Sequence, residues 1–242
     1  MARTEVLVLL PGLMCDDSVW TGMYPHLPAA VSTQVIDYGM ASSIESMAQL
    51  VLHRAPPRFA VAGHSMGGRV AMEVVRMAPE RVTRIALLDT GHLARPAGPA
   101  GVQEAAKRFA LLEVARTQGV AAMAATWVQG MVHPDRLADA ALIDSIVGMF
   151  TRKSADIFAC QIQALLERPD ASDVLRKLTV PTLLLCGEQD AWSPPAQHQQ
   201  MRELTSHAEL SLVAHAGHMA PMERPQAVAE CFTRWLSVDA TV

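Results

Sequence analysis

Several features that would assign a chain to a specialised class are missing from these 242 residues. No stretch reaches the ~18 consecutive apolar residues that a membrane-spanning helix requires. The apolar run at residues 6–10 is too short for the core of a signal peptide, and it stops at Pro11-Gly12. We therefore expect a soluble, cytoplasmic protein without a membrane partner.

Charge is also scarce, since charged residues make up 18% of the chain and the formal net charge is -4. Because no run of basic residues is present, nucleic acid is not an expected partner. The hydrophobic fraction of 50% excludes a disordered chain, and the length fits one large domain or one domain with an insertion. We expect a folded protein whose partner is a small-molecule substrate.

Cysteine pairs are absent as well. The four cysteines are scattered along the chain, at Cys15, Cys160, Cys186 and Cys231. None forms a CxxC pair, so neither a zinc site nor a disulfide framework is indicated. We predict buried or incidental thiols and no bound metal.

Short apolar runs alternate with helical patterns at both ends of the chain. The predicted strands cover residues 5–10, 33–36, 58–62, 84–88, 182–186 and 209–213. The predicted helices between them cover residues 17–26, 44–54, 66–77, 195–205 and 225–236. This alternation is typical of the α/β class, in which helices cover both faces of a mostly parallel sheet.

The alternation breaks between about residues 92 and 177. This part shows no strand pattern but four helical stretches, at residues 102–118, 120–131, 135–150 and 154–167. We therefore predict a helical cap over residues 92–177, inserted between the fourth and fifth strands. Residues 1–91 and 178–242 then form the core domain.

The strongest motif is Gly63-His64-Ser65-Met66-Gly67, which follows a predicted strand and opens a predicted helix. In such a sharp turn, side chains two residues before and after the serine would collide, which requires glycine at both positions. The turn exposes the Ser65 hydroxyl and leaves free N–H groups at the start of the helix. A phosphate-binding loop is a poor alternative, because its Lys-Ser/Thr ending and the G-x-G-x-x-G spacing are both missing.

The segment 63–68 resembles the nucleophile elbow of the α/β-hydrolase superfamily. It is most similar to small bacterial serine esterases and to the related haloperoxidase-like and carbon–carbon-bond hydrolases, which need no cofactor. The resemblance covers nearly the whole chain apart from the cap. It implies an α/β-hydrolase fold with about six mostly parallel strands, and Ser65 as the nucleophile instead of the aspartate of dehalogenases and epoxide hydrolases.

A serine hydroxyl needs a base to take its proton. His218 lies in a glycine-containing loop after the last predicted strand, from which it can reach Ser65. The family pattern of Gly-His followed by Glu-x-Pro, here at residues 223–225, selects His218 over His215. We expect the side chain of His64 to point away from Ser65 and to pack within the turn.

The base in turn needs an orienting carboxylate. Asp190 follows the fifth predicted strand and gives the chain order Ser, Asp, His that is expected of this fold. Asp89, at the end of the fourth predicted strand, is the alternative, because some superfamily members carry their acid there. Glu188 is a further alternative, for which we expect a surface or loop contact.

An oxyanion hole needs two N–H donors. The resemblance implies the N–H of Met66 and that of Leu13 in the loop after the first strand. Where family members usually have His-Gly, this chain has Pro11-Gly12, which changes a side chain but keeps the backbone donor. We expect the nearby Asp16 and Asp17 to cap the next helix.

Methionines flank the predicted site, and flexible thioethers make an adaptable apolar pocket. We therefore name Met14 and Met219 as candidate substrate-binding residues, with ordinary core packing as the alternative. Basic residues occur in the predicted cap, at Lys107, Arg108, Arg152 and Lys153. We expect them to face solvent, with contact to an acidic substrate or a carrier protein as the alternative.

The function predicted from these residues is hydrolysis of a carboxylic ester of a small to medium, apolar substrate through an acyl-enzyme on Ser65. The same residues could instead carry carbon–carbon hydrolysis, perhydrolysis, thioester hydrolysis or acyl transfer. A non-catalytic ligand-binding protein is the remaining alternative. The physiological substrate and the oligomeric state stay open.

Overall fold

The computed structural model describes residues 5–239. Six strands form one sheet in the order β2-β1-β3-β4-β5-β6, and all neighbouring strands are parallel. The strands are β1 (Val6–Leu10), β2 (Ser32–Val35), β3 (Phe59–His64), β4 (Val82–Leu88), β5 (Thr182–Gly187) and β6 (Glu209–Val213). The predicted sheet is confirmed, with strand ends shifted by at most two residues.

Ten α-helices accompany the sheet within the described residues. They are α1 (Ile44–Arg54), α2 (Met66–Met77), α3 (Pro99–Thr117), α4 (Val120–Trp127), α5 (Ala140–Thr151), α6 (Ala155–Leu166), α7 (Ser172–Lys177), α8 (Pro195–Leu204), α9 (Ala220–Glu223) and α10 (Pro225–Ser237). The short helices α7 and α9 were not among the predicted ones, because one or two turns give too few periodic positions to reveal a helix.

The helix predicted over residues 17–26 is wrong. Two 3-10 helices, Asp17–Val19 and Tyr24–His26, stand in its place. Gly22 lies between them and Pro25 lies in the second; glycine lowers helix propensity, and proline lacks the N–H that a continuous helix needs. Asp16 caps the first of them by accepting a 2.9 Å hydrogen bond from the Ser18 N–H, as expected.

Helices α3 to α7 follow one another between β4 and β5, and no strand occurs in residues 92–177. The third predicted helix of this segment starts later than expected, at Ala140, because Pro134–Arg136 forms a separate 3-10 helix. Asp139 then caps α5 by accepting a hydrogen bond from the Leu142 N–H. The assignment of this helical segment to a cap domain stays a prediction.

The core lies on both faces of the sheet. Every residue of β3 and of β5 is buried, as expected for strands of a parallel sheet that helices cover on both sides. Parallel strands all end at the same edge, so the loops after β1, β3, β5 and β6 meet there. Among residues 5–239, no helix has the length and apolar character needed to cross a bilayer.

Candidate active site

The turn between β3 and α2 holds Ser65 in an unusual backbone conformation, with φ 54° and ψ -116°. Its neighbours explain the need for glycine. A Cβ on Gly63 would lie 2.2 Å from the Gly67 carbonyl oxygen, and one on Gly67 would lie 2.0 Å from the Leu10 carbonyl oxygen. The Ser65 N–H donates a 2.8 Å hydrogen bond to the Leu88 carbonyl, which ties the turn to β4.

Three sequence-predicted residues come together at the carboxyl edge of the sheet. The Nε2 atom of His218 lies 2.9 Å from the Ser65 Oγ atom, within hydrogen-bond distance. The His218 Nδ1 atom lies 2.8 Å from the Asp190 Oδ2 atom. A carboxylate can only accept here, so Nδ1 carries the proton and Nε2 is free to accept one from the serine hydroxyl.

Asp190 is buried in the loop after β5, where several hydrogen-bond donors hold its carboxylate. The Oδ1 atom accepts hydrogen bonds from the N–H groups of Trp192 and Ser193, at 2.8 and 2.9 Å. Burial alone raises the pKa of Asp190, but His218 and these two N–H donors outweigh it and lower the pKa to about 2. The carboxylate is therefore ionised at neutral pH, and its Oδ2 atom is left to His218.

The two alternative acids, Asp89 and Glu188, lie in surroundings that differ from those of Asp190. Asp89 is fully buried with φ 47°, and its Oδ1 atom accepts a 2.9 Å hydrogen bond from the Gly187 N–H. Its Oδ2 atom has no hydrogen-bond partner among the described residues. Burial, and then the negative charge of Asp190, raise the pKa of Asp89 well above its usual value, which favours a neutral carboxyl group. Glu188 is exposed to solvent.

His64 supports the backbone of His218. Its Nε2–H group donates a 2.8 Å hydrogen bond to the His218 carbonyl oxygen, while the His218 N–H donates one of 2.6 Å to the Met131 carbonyl. Burial, and then the nearby His218, lower the pKa of His64 to about 3, so its ring stays neutral. The sequence predicted a packed turn histidine and gave no indication of this contact across the site.

Glu223 connects the loop of His218 to the helical segment between β4 and β5. Its buried carboxylate accepts hydrogen bonds from two backbone N–H groups, that of Gly217 at 2.8 Å and that of His133 at 2.7 Å. The Arg136 side chain donates a further hydrogen bond, of 2.7 Å, to the Glu223 carbonyl oxygen. One carboxylate thus connects Gly217, the residue before His218, to His133, which lies 90 positions before Glu223 in the chain.

We expect Glu223→Gln to lower kcat by about tenfold or more, because a displaced base loses its alignment with Ser65. An amide offers one acceptor, so one of the two N–H groups would face the amide nitrogen. Steady-state kinetics on an aryl ester measures the effect, together with the melting temperature.

The matched control for this prediction is Glu188→Gln, an exposed glutamate on the neighbouring loop. We expect Glu188→Gln to behave as the unchanged protein does. A Glu223→Gln protein with normal kcat and normal melting temperature would show that the buried carboxylate does not hold the base in place.

A cavity of about 750 Å³ opens at Ser65 and His218. Leu13, Met66 and Met219 also line it. Within residues 5–239, neither the Leu13 N–H nor the Met66 N–H donates to a protein acceptor. Leu13 and Met66 line the same cavity as Ser65.

Met14 does not line the cavity. Its side chain is fully buried away from the cavity wall, and its N–H donates a 2.8 Å hydrogen bond to the Gln161 side chain in α6. The structure places Met14 in the core, which was the alternative to substrate binding.

One side of the cavity is aromatic. Trp127 stacks on Trp192 with 5.5 Å between ring centroids, and Phe150 and Phe158 contact Trp127 at 5.4 and 5.5 Å. The Trp192 ring also lies 4.9 Å from that of His218. These aromatic residues were not predicted from the sequence, because three of them come from the helical segment, whose packing the pattern does not define.

Another part of the wall is cationic. Its basic side chains are Arg69, Lys107, Arg108 and Arg168. Sequence reasoning expected Lys107 and Arg108 to face solvent; Lys107 is exposed, whereas Arg108 is half-buried. It missed Arg69 and Arg168. The position of Arg69 in the first turn of α2, directly after the Ser65 turn, could have revealed it. Arg152 and Lys153 do not line the cavity and pair with Asp16 and Asp37 instead.

Two groups of side chains have a spacing that could suit a metal ion. Asp89, Cys186 and Asp190 form the buried group, but burial raises the pKa of both the Cys186 thiol and Asp89. Asp190 of this group already accepts hydrogen bonds from His218 and from two backbone N–H groups. The other group joins His133, Asp135 and His215 outside the cavity. All four cysteines are free thiols.

The geometry can be compared with known proteins. Residues 7–231 match the model of the alpha/beta hydrolase family. The pimeloyl-(acyl-carrier protein) methyl ester esterase of Nitrosomonas europaea is 27% identical over 241 residues, which cover 93% of this chain and 93% of the relative. The 2-succinyl-6-hydroxy-2,4-cyclohexadiene-1-carboxylate synthase of Klebsiella pneumoniae is 28% identical over 222 residues, covering 90% of this chain and 84% of the relative.

A solved structure is also similar over nearly the whole chain. It is a thermophilic esterase from Thermogutta terrifontis, which superimposes with a TM-score of 0.83 at 26% sequence identity. The match covers 96% of this chain and 89% of the esterase.

Proposed function

The chain belongs to the alpha/beta hydrolase family, as its sequence motif predicted, and we propose that it is a serine hydrolase that cleaves a carboxylic ester. The observation that carries the proposal is the continuous hydrogen-bonded line from Ser65 through His218 to Asp190. Two of the similar proteins are named as esterases, and an ester is the substrate we assign to this chain.

In the first half of the proposed reaction, the Ser65 Oγ atom attacks the ester carbonyl carbon. His218 Nε2 takes the hydroxyl proton as the new carbon–oxygen bond forms. The ester bond to the alcohol then breaks, and the same proton passes from His218 to the departing alkoxide. The products of this half are a free alcohol and an acyl group bound to Ser65.

In the second half, water attacks the acyl carbon. His218 Nε2 takes one proton from the water and returns it to the Ser65 oxygen as that bond breaks, which releases the carboxylic acid. Asp190 holds the imidazole in the required tautomer and stabilises its positive charge in both halves. The net reaction consumes one ester and one water, and the protein returns to its starting state.

Both tetrahedral intermediates carry a negative oxygen that needs hydrogen-bond donors. We assign this task to the N–H groups of Leu13 and Met66. Both residues lie at the cavity wall, and the Met66 N–H begins α2, where the first N–H groups of a helix have no partner within it. The partial positive charge of the helix N-terminus favours the same oxygen.

A second candidate reaction follows from the synthase relative, whose name does not describe ester cleavage. In that case the three residues would process a substrate without an acyl-enzyme. Covalent labelling and substrate turnover separate the two candidates, so the substrate panel should contain esters, thioesters and lactones.

We expect a fluorophosphonate to label Ser65 covalently and to abolish ester turnover at one label per chain. The phosphorus atom imitates the attacked carbonyl carbon, and its oxygen can accept from the two N–H groups. Peptide mass mapping identifies the labelled residue. Heat-unfolded protein serves as the control, because an unactivated serine hydroxyl does not react. Label on another serine of the folded protein, or no label, would contradict the proposal.

A further inference from the structure

The cavity at Ser65 carries an excess of positive charge that ester cleavage does not require. Four cationic side chains line it, and Glu104 is its only acidic lining residue among residues 5–239. An apolar ester alone would leave part of this positive charge without a partner. The excess of positive charge therefore bears on the charge that the substrate carries.

Glu104 is already engaged by two of the four cations. Arg168 donates to both of its oxygens, at 2.6 and 2.9 Å, and Arg108 donates to one of them at 3.0 Å. One carboxylate shared by two guanidinium groups has no capacity left for a third. The arrangement holds Arg168 and Arg108 in fixed positions beside the cavity.

Arg69 has no such partner. Its Nη1 atom donates a 2.9 Å hydrogen bond to the Leu93 carbonyl, and within residues 5–239 no carboxylate forms an ion pair with it. Burial, and then the positive charge of Arg168, lower the pKa of Arg69 to about 9. The surroundings therefore destabilise this cation, and a bound anion would relieve that cost.

The position of Arg69 relates it to the reacting atoms. It lies in the first turn of α2, which begins directly after Ser65, and both residues line the same cavity. A group bound by Arg69 would therefore share this cavity with an ester carbonyl held at Ser65. The aromatic wall of Trp127, Phe150 and Phe158 can accommodate an apolar chain.

We propose that Arg69, beside the Glu104-paired Arg168, forms a carboxylate-binding subsite and that the substrate is a monoester of a dicarboxylic acid. A guanidinium group matches a carboxylate with two parallel hydrogen bonds, which gives both strength and orientation. The inference rests on the proposed function for the location of the ester, and it replaces the expectation of a purely apolar substrate. A small carboxylate fits better than an acidic protein surface, because Arg69 lies half-buried inside the cavity.

The first test compares two series of ethyl esters. One series has a free carboxylate at the far end of the acyl chain, with two to six methylene groups, and the other has an uncharged methyl end at equal length. We expect kcat/KM to favour the charged ester by about tenfold or more at the best length, mainly through KM. Arg69→Gln should reduce this ratio to near one.

The matched control is Arg116→Gln. Arg116 lies in α3, as Arg108 does, but it is exposed and does not line the cavity. Removing its charge changes the net charge equally, and we expect the preference for charged esters to remain. If Arg69→Gln does not fold, Arg69→Lys keeps the charge without the paired geometry, and it should retain only part of the preference.

A binding experiment separates this inference from the proposed function. Two proteins, Ser65→Ala and the double variant Ser65→Ala/Arg69→Gln, are titrated by calorimetry with the free dicarboxylates. We expect at least tenfold weaker binding when Arg69 is replaced. If no ester is cleaved but this binding depends on Arg69, the subsite stands and the proposed function fails. If charged and neutral esters are cleaved equally well with and without Arg69, the subsite is overturned.

Discussion

Replacing Ser65 with alanine is expected to lower kcat for ester hydrolysis on the order of 10⁶-fold. The substitution removes the atom that we propose forms the covalent bond, the Oγ atom that lies 2.9 Å from His218 Nε2. A serine, its base and its orienting acid act as a unit, so the remaining two residues keep almost none of their effect. Steady-state kinetics on an aryl ester measures the loss.

The Ser65→Ala protein should fold normally. Serine and alanine both carry a Cβ atom, so both bear the same strain at φ 54°. The hydrogen bond from the residue 65 N–H to the Leu88 carbonyl is a backbone contact and survives the change. An unchanged melting temperature is therefore the control for the loss of activity. Near-normal turnover in a repurified variant would exclude Ser65 as the nucleophile.

The residues that could be predicted from the sequence are those that a local rule determines. Gly63 and Gly67 are required because the turn leaves no room for a Cβ atom. This requirement makes Ser65 recognisable from a motif of five residues. Asp190 and His218 could be found because both follow strands whose carboxyl ends meet at one edge of the sheet. The alternation of strands and helices follows from the repeated pattern of apolar residues.

Contacts between distant segments could not be predicted in this way. Glu223 and His133 are 90 positions apart, and Arg168 and Glu104 are 64 apart. No periodicity connects such positions, because the connection depends on how helices α3 to α6 pack over the sheet edge. The turn that carries the candidate nucleophile is thus determined by a local sequence rule, whereas the walls of the cavity depend on tertiary packing.

The same distinction explains the two acids. Asp89 and Asp190 both follow strands that end at this edge, so their sequence positions alone leave a choice between them. The structure places a 2.8 Å contact between Asp190 and His218 Nδ1, while Asp89 faces the Gly187 N–H and lies 3.9 Å from His64. The two carboxyl groups therefore differ in their expected charge and in their partners.

We expect Asp190→Asn to lower kcat by up to ~10⁴-fold. The N–H groups of Trp192 and Ser193 both point at the Oδ1 atom, so they would hold the amide oxygen of an asparagine there. The amide nitrogen would then face His218 Nδ1 and donate to it. That contact favours the tautomer with its proton on Nε2, which cannot accept the proton of Ser65.

Asp89→Asn should keep most of the activity, which makes it the matched control. Its carboxyl group is expected to be neutral already, and an asparagine oxygen can accept the same hydrogen bond from Gly187. Kinetics and melting curves for both variants test the comparison. The reverse ranking would move the acid to the end of β4 and leave Ser65 and His218 in their roles. Small, equal losses would be more serious, because neither carboxylate would then orient the base and the proposed mechanism would lack its acid.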